Sequence, residues 1–221
     1  MEHTLFAWSM AMSVKEYDAN HENGDKIILP ENILRDISRK LDKPIYCKLI
    51  NTAHNTEYYT GVLEFSATTG NCFIPHWIMA QTLIEEGNPV KVEIIMNLNP
   101  VTYLKLKPQD PNIFNTIPDV KQLLEFKLKN YTCTSKGSWL CVSYFDEKIY
   151  FDVIDTKPDN VVSLLDTECT LEFDLPVKKS PPMNTKYQKE EKKQQPKKNF
   201  TQFKKTGNLV KFPGKGRSLC D

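Results

Sequence analysis

The chain has 221 residues, of which 40% are hydrophobic and 26% charged, and its formal net charge is +1. That length suits one large domain or two small ones. No run of eighteen apolar residues occurs, so no membrane-spanning helix and no membrane insertion are expected, and Met1 to Met12 lacks the basic start of a secretory leader.

The near-neutral total hides a split. Residues 1–176 carry 16 basic and 25 acidic side chains, net −9, whereas residues 177–221 carry 13 and 3, net +10. Such asymmetry marks an acidic body and a basic tail.

In chain order, residues 1–19 read as a flexible lead. Gly24-Asp25 opens the apolar strand Lys26-Ile27-Ile28-Leu29, and Pro30-Glu31 starts a helix with Ile33, Leu34, Ile37 and Leu41 on one face, ended by Pro44. Residues 45–50 and 57–65 read as paired strands joined by a polar loop. Thr68-Thr69-Gly70-Asn71 is a turn and Cys72-Phe73-Ile74 a short strand. A helix is expected over 75–86, with Gly87 as its stop. Val90, Val92 and Ile94 alternate with Lys91 and Glu93, and residues 102–107 alternate likewise, as half-buried strands do.

Three prolines between Pro108 and Pro118 place a subdomain boundary there. A helix follows, with Val120, Leu123, Leu124, Leu128 and Tyr131 at helical spacing. Strands at 139–144 and 148–154 are joined by a tight hairpin at Phe145-Asp146-Glu147, and two more segments, 161–165 and 170–173, complete a small α+β unit. Residues 178–205 are rich in lysine and glutamine with few apolar side chains. They bury too little surface to offset chain entropy and are expected to be disordered.

Six cysteines occur, at positions 47, 72, 133, 141, 169 and 220, without a C-x-x-C pair. Cys47, Cys72, Cys141 and Cys169 sit in apolar, strand-like runs and read as small buried hydrophobes in a reducing compartment.

The tail ends in a pattern. Phe212, Pro213, Gly214, Lys215, Gly216, Arg217 and Leu219 form Phe-x-Gly-x-Gly-x-x-Leu, with two apolar anchors in a polar stretch. Gly214 and Gly216 allow close backbone approach, and an extended peptide of this kind suits addition to a sheet edge.

Several body segments resemble the ubiquitin fusion degradation protein 1 family. They are 24–30 (Gly-Asp-Lys-Ile-Ile-Leu-Pro), 61–65 (Gly-Val-Leu-Glu-Phe) and 72–79 (Cys-Phe-Ile-Pro-His-Trp-Ile-Met). Further such segments are Asn130-Tyr131-Thr132-Cys133, Lys148-Ile149-Tyr150, Thr156-Lys157-Pro158-Asp159 and Phe173-Asp174-Leu175-Pro176. The likeness runs in order over about residues 20–176, and the tail pattern is similar to the family's SHP box.

The resemblance implies a β-rich α+β body: a double-psi β-barrel over 20–115, then a small α/β roll over 116–176. A disordered basic linker over 177–210 and the docking motif over 211–221 follow. It also implies a non-enzymatic adaptor that binds ubiquitin chains and docks through Phe212 to Leu219 on the N-terminal domain of a hexameric AAA+ unfoldase (valosin-containing protein in animals). Proteasomal and endoplasmic-reticulum-associated degradation are the implied pathways. The implied location is the cytoplasm and nucleus, in part the cytosolic face of the endoplasmic reticulum. A nuclear protein localisation protein 4 partner belongs to the same picture. In relatives its binding segment lies beyond the first SHP box, and here Asp221 follows that box closely, which leaves this contact open. The chain departs from the family at Pro100-Val101 and Gly137-Ser138, where loop geometry is in question.

Rival readings are weaker. His76, four residues after Cys72, has no third ligand or base at suitable spacing and reads as a helix start. Glu85 and Glu86 point to different helix faces. No G-x-S-x-G, H-E-x-x-H or G-x-x-x-x-G-K motif occurs, and neither enzyme activity, metal nor cofactor is expected. The basic tail, with Phe200 and Phe203, could hold nucleic acid, but its lysines are scattered and the acidic body opposes it. A spacer of about 35 residues, spanning roughly 30–35 Å as a flexible coil, accounts for it better. A module that binds the unfoldase but not ubiquitin is the remaining alternative. No ubiquitin-contact residue is assigned: Leu63, Phe73, Trp77 and Ile78 are explained by core packing.

Overall fold

Strand β1 (Glu2–Ser9) begins the body, although its segment reads as a flexible lead. Leu5, Ala7 and Ser9 point inward and Thr4 and Phe6 outward, the two-residue alternation of a half-buried strand. The expected lead over 1–19 is thereby corrected: β1 lies between two strands that supply its backbone partners from far along the chain. A computed structural model describes residues 1–13, 19–37, 44–145 and 147–174. The expected disordered linker and the docking motif lie outside the described residues, as do Leu41 and Pro176.

After a 3-10 turn (Met10–Met12) and a single-turn helix α1 (Ala19–Glu22), the barrel continues through β2 (Lys26–Pro30), α2 (Glu31–Ile37), β3 (Tyr46–Asn51) and β4 (Thr56–Ala67). It is completed by β5 (Asn71–Ile74), α3 (His76–Thr82) and β6 (Pro89–Ile95). The strands close in the order β1-β5-β2-β4-β3-β6. Two pairs, β1 with β5 and β2 with β4, are parallel, and the other neighbours are antiparallel. Exchanging β1, β2, β3 with β4, β5, β6 maps the set of pairings onto itself, β1–β5 onto β2–β4 and β1–β6 onto β3–β4. Each half therefore supplies a strand, a Pro and a short helix: Ile28-Leu29-Pro30 before α2 and Phe73-Ile74-Pro75 before α3. Ile28 pairs with Phe73 where the halves meet. This is the closed, crossed barrel that the resemblance implies.

α3 stops at Thr82, short of the expected 86, because Leu83 adopts a left-handed conformation at φ 55°. The Ile84 N–H bonds back to the Met79 carbonyl at 3.0 Å, a Schellman-type closure made without glycine. The Asn51 side-chain amide donates to the carbonyls of Thr82 and Leu83 at 3.1 and 2.7 Å, holding that end from the β3–β4 turn.

The second part contains β7 (Tyr103–Pro108), α4 (Ile113–Thr116), α5 (Val120–Leu128), β8 (Cys133–Ser135), β9 (Trp139–Tyr144), β10 (Glu147–Lys157), β11 (Val161–Ser163) and β12 (Thr170–Phe173). Its four-stranded sheet has the order β12-β7-β10-β9, and β11 pairs with β8 as a small ribbon. The boundary expected at 108–118 is corrected: β7 pairs with β10 and β12, so the second part begins near residue 100. The alternation of Leu104 and Leu106 is real, and both are fully buried, but in the sheet of the second part. α5 starts at Asp119, whose Oδ1 accepts from the Gln122 N–H at 2.8 Å. Val120, Leu124 and Leu128 are buried at i, i+4 and i+8, and Lys121 pairs with Glu125 at 3.7 Å on the opposite face.

One buried cluster runs through both parts, from Leu5, Ile27 and Trp77 to Leu104, Leu124, Leu140 and Phe151. A smaller cluster of Met10, Ile28, Ala67 and Phe73, backed by Trp8 and Leu63, covers the outer face where β2 meets β5.

Candidate functional site

The seam between the barrel and the second part is built from one short segment, residues 22–25. Glu22 is 7% exposed. Its Oε1 accepts the His76 N–H at the start of α3, at 2.9 Å, and lies 3.6 Å from Lys148 Nζ on β10. The Gly24 carbonyl accepts the Trp77 indole N–H at 3.0 Å. The Asp25 carbonyl accepts the Thr60 hydroxyl of β4. The Asp25 carboxylate, fully buried, reaches into the second part. It accepts the Thr132 N–H at 2.7 Å and the Cys133 N–H at 3.4 Å, with the Thr132 hydroxyl at 3.3 Å.

Burial pushes the Asp25 carboxyl up to about 6, although the two N–H groups favour its charge. Around it, Tyr58 and Tyr131 are themselves pushed well above the ordinary phenol value by burial. Their rings flank Trp77, at centroid distances of 5.7 and 6.3 Å. Tyr46 donates to Ser163 at 2.8 Å, and the Trp139 N–H donates to the Gln81 side chain at 2.6 Å. The two parts are thus held by buried polar contacts as well as a common core.

Gly61 of β4 lies directly beneath Thr132. A Cβ at that position would overlap the Thr132 side chain, whose backbone Asp25 holds in place. Gly61→Ala is expected to destabilise the body by about 1–3 kcal/mol through overpacking. Chemical denaturation of residues 1–176 measures it, and a parent-like midpoint would contradict this close approach.

Open grooves lie beside the seam. One of about 720 Å³ is lined by Tyr59, Gln81, Lys136, Trp139 and Val161, with residues of both parts. Another, of about 790 Å³, runs beneath α5 past Leu128, Leu164, Cys169 and Leu171. Burial pushes the Cys72 thiol up to about 12 and the Cys141 thiol up to about 11, and raises those of Cys47 and Cys133, so these sulfurs are held as thiols. Cys169 is half-buried in the loop before β12 rather than in the strand that the sequence suggests.

Among the residues singled out in the sequence, Phe73, Trp77 and Ile78 are buried and Leu63 packs against the outer cluster, as core residues do. His76 is exposed at the head of α3. Glu85 and Glu86 are exposed beyond the end of that helix, not on it. Phe212, Pro213, Gly214, Lys215, Gly216, Arg217 and Leu219 lie outside the described residues. The sequence carries no local sign of the Asp25 seam, because Thr132 stands 107 residues away. Phe145 is different: the sequence places it in a three-residue hairpin connection, whereas Glu147 pairs with Tyr144 and leaves it at a two-residue tip, where Asn or Gly is expected.

A six-stranded barrel with two crossed parallel pairs, locked to a small α/β sheet, defines a double-psi-type two-part module. The chain belongs to the ubiquitin fusion degradation protein 1 family. Two family models match it, described as "Ubiquitin fusion degradation protein UFD1, N-terminal subdomain 1" over residues 1–98 and "N-terminal subdomain 2" over residues 100–176. Their junction agrees with the boundary seen in the structure. Among relatives, the human "Ubiquitin recognition factor in ER-associated degradation protein 1" is 40% identical over 158 residues, covering 71% of this chain and 50% of the relative. The Caenorhabditis elegans "Ubiquitin fusion degradation protein 1 homolog" is 34% identical over 154 residues, 69% of this chain and 44% of its own length. The Saccharomyces cerevisiae "Ubiquitin fusion degradation protein 1" is 30% identical over 173 residues, 77% and 45% respectively. The chain spans about half the length of the curated relatives it matches.

Proposed function

We propose that the chain is a non-enzymatic adaptor that binds ubiquitin chains on client proteins and delivers them to a hexameric AAA+ unfoldase for proteasomal and endoplasmic-reticulum-associated degradation. The observation that carries this reading is the match of both parts of the body to a family whose relatives are named for ubiquitin recognition. The tail pattern Phe212-Pro213-Gly214-Lys215-Gly216-Arg217-Ser218-Leu219 supports the unfoldase end of it. In this reading the body holds the ubiquitylated client and the tail strand docks on the unfoldase's N-terminal domain. Linkage through one chain raises the effective concentration of each contact to about the millimolar range. The unfoldase supplies all ATP chemistry. Residence in the cytoplasm and nucleus, partly at the cytosolic face of the endoplasmic reticulum, and a nuclear protein localisation protein 4 partner belong to the same proposal. Co-purification tests the partner.

Calorimetry against the isolated N-terminal domain of the unfoldase tests the reading. Residues 1–221 are expected to bind and residues 1–176 are not. Phe212→Ala should cost about 2 kcal/mol or more, as for a buried aromatic anchor. Parent-like binding by that variant would sink the anchor assignment.

A further inference from the structure

The tip of the β9–β10 hairpin has two features that its own fold does not use. Tyr144 pairs with Glu147, leaving a two-residue connection that begins with Phe145. Phe145 is 86% exposed. Its φ is 51°, in the left-handed region that hairpin turns fill with Asn, Asp or Gly and that a bulky residue enters at a cost. A large apolar ring held in water on an unfavourable backbone destabilises the body twice. Costs of this kind persist at recognition sites.

The ring is also held in place. Tyr144 is half-buried against the main core, and Phe145 stands edge-on to it with centroids 4.6 Å apart. Preorganisation of this sort lowers the entropy lost on binding. A second exposed aromatic lies on α5, the helix tied to β9 by a side-chain hydrogen bond. Phe126 is 67% exposed, on the side of α5 away from Val120, Leu124 and Leu128. Its neighbour Lys127 bonds the Ser143 hydroxyl at 3.2 Å, which ties this turn of α5 to β9 just before the tip.

The charges select the partner. Lys127 is engaged with Ser143, and Lys148 faces Glu22. Glu147 is exposed and has no basic partner among the described residues. The charge next to Phe145 is therefore negative, whereas Lys129, exposed three residues after Phe126, adds a cation on the α5 side. The tip suits a protein surface whose shallow apolar patch is ringed by basic side chains. On the adaptor reading, that surface belongs to ubiquitin.

We propose that Phe145, supported by Phe126 and Glu147, is the ubiquitin-contacting tip of the body. The proposal rests on the adaptor reading above and adds the contact residues to it. The test uses the full chain, titrated with monoubiquitin and with tetraubiquitin by calorimetry. Phe145→Asn is the informative variant, because Asn accepts the left-handed backbone. It should melt at or above the parent's temperature while binding ubiquitin at least tenfold more weakly. Phe126→Ala should lose severalfold. Glu147→Lys should weaken binding and flatten its salt dependence. Phe6→Ala, at the exposed aromatic of the barrel's outer face, should bind as the parent does.

If the parent binds ubiquitin and Phe145→Asn binds equally well, the tip is not the contact, and the adaptor reading stands. If the parent binds neither form of ubiquitin, the adaptor reading falls and takes the tip with it.

Discussion

Asp25→Asn and Asp25→Ala are expected to diverge by about 3 kcal/mol or more in stability at neutral pH. The two substitutions remove the same charge. Asn keeps an oxygen for the Thr132 and Cys133 N–H groups and can turn its amide toward the Thr132 hydroxyl. Ala leaves both N–H groups buried without an acceptor, at about 1–3 kcal/mol each. Denaturant melts of residues 1–176 compare them directly. Equal midpoints would mean that the seam does not depend on these hydrogen bonds.

The same residue makes a pH prediction with a definite sign. Its folded carboxyl is raised to about 6 from the ordinary value of 3.8, so the folded state holds the proton more tightly than the unfolded chain. The contribution of Asp25 to stability is therefore full below the unfolded value and is lost as pH rises through about 6. That displacement corresponds to about 3 kcal/mol. Relative to Asp25→Asn, the parent should weaken by that amount between about pH 4 and 7. Taking the difference cancels the other carboxylates, including Glu2 and Asp155, whose ion pairs lower them and act in the opposite direction. A flat difference would show that the buried carboxylate is better solvated than its surroundings indicate.

Trp77→Ala should have the largest effect of any single truncation in the body, about 3–5 kcal/mol. Trp77 is 2% exposed, packs edge-on to Tyr58 and tilted against Tyr131, and donates to the Gly24 carbonyl. It therefore belongs to the barrel, to the second part and to the seam segment at once. The parent's two parts should melt in one transition, and the variant should lower that transition as a whole. Calorimetry of residues 1–176 with the variant distinguishes the cases. Two separated transitions in the parent would break the claim of a common core.

Much of the body was legible along the chain. The β3–β4 hairpin, β6, the β9–β10 hairpin and α5 are set by neighbours in sequence. Alternating Val90 and Val92 and the spacing of Val120, Leu124 and Leu128 need no distant residue to be read. Where the reading failed, the deciding partner was far away. β1 carries an alternating pattern, but its strand character rests on Asn71 to Ile74 on one side and Pro89 to Glu93 on the other. β7 reads correctly as a strand, yet which sheet receives it is decided by β10 and β12. The end of α3 is set by Asn51, thirty-odd residues earlier, rather than by Gly87.

The sequence by itself determined the split between acidic body and basic tail, most of the strands and helices, the family, and the β9–β10 hairpin. Periodicity, charge and turn chemistry are local, so a linear reading captures them. Only the tertiary structure decided that Glu22 and Asp25 bind the barrel to the second part, that Gly61 must leave room for Thr132, and that Phe145 stands exposed at a two-residue tip with a left-handed backbone. Those facts depend on desolvation and close approach between residues up to 126 positions apart, Glu22 and Lys148, and neither quantity exists until the chain has folded.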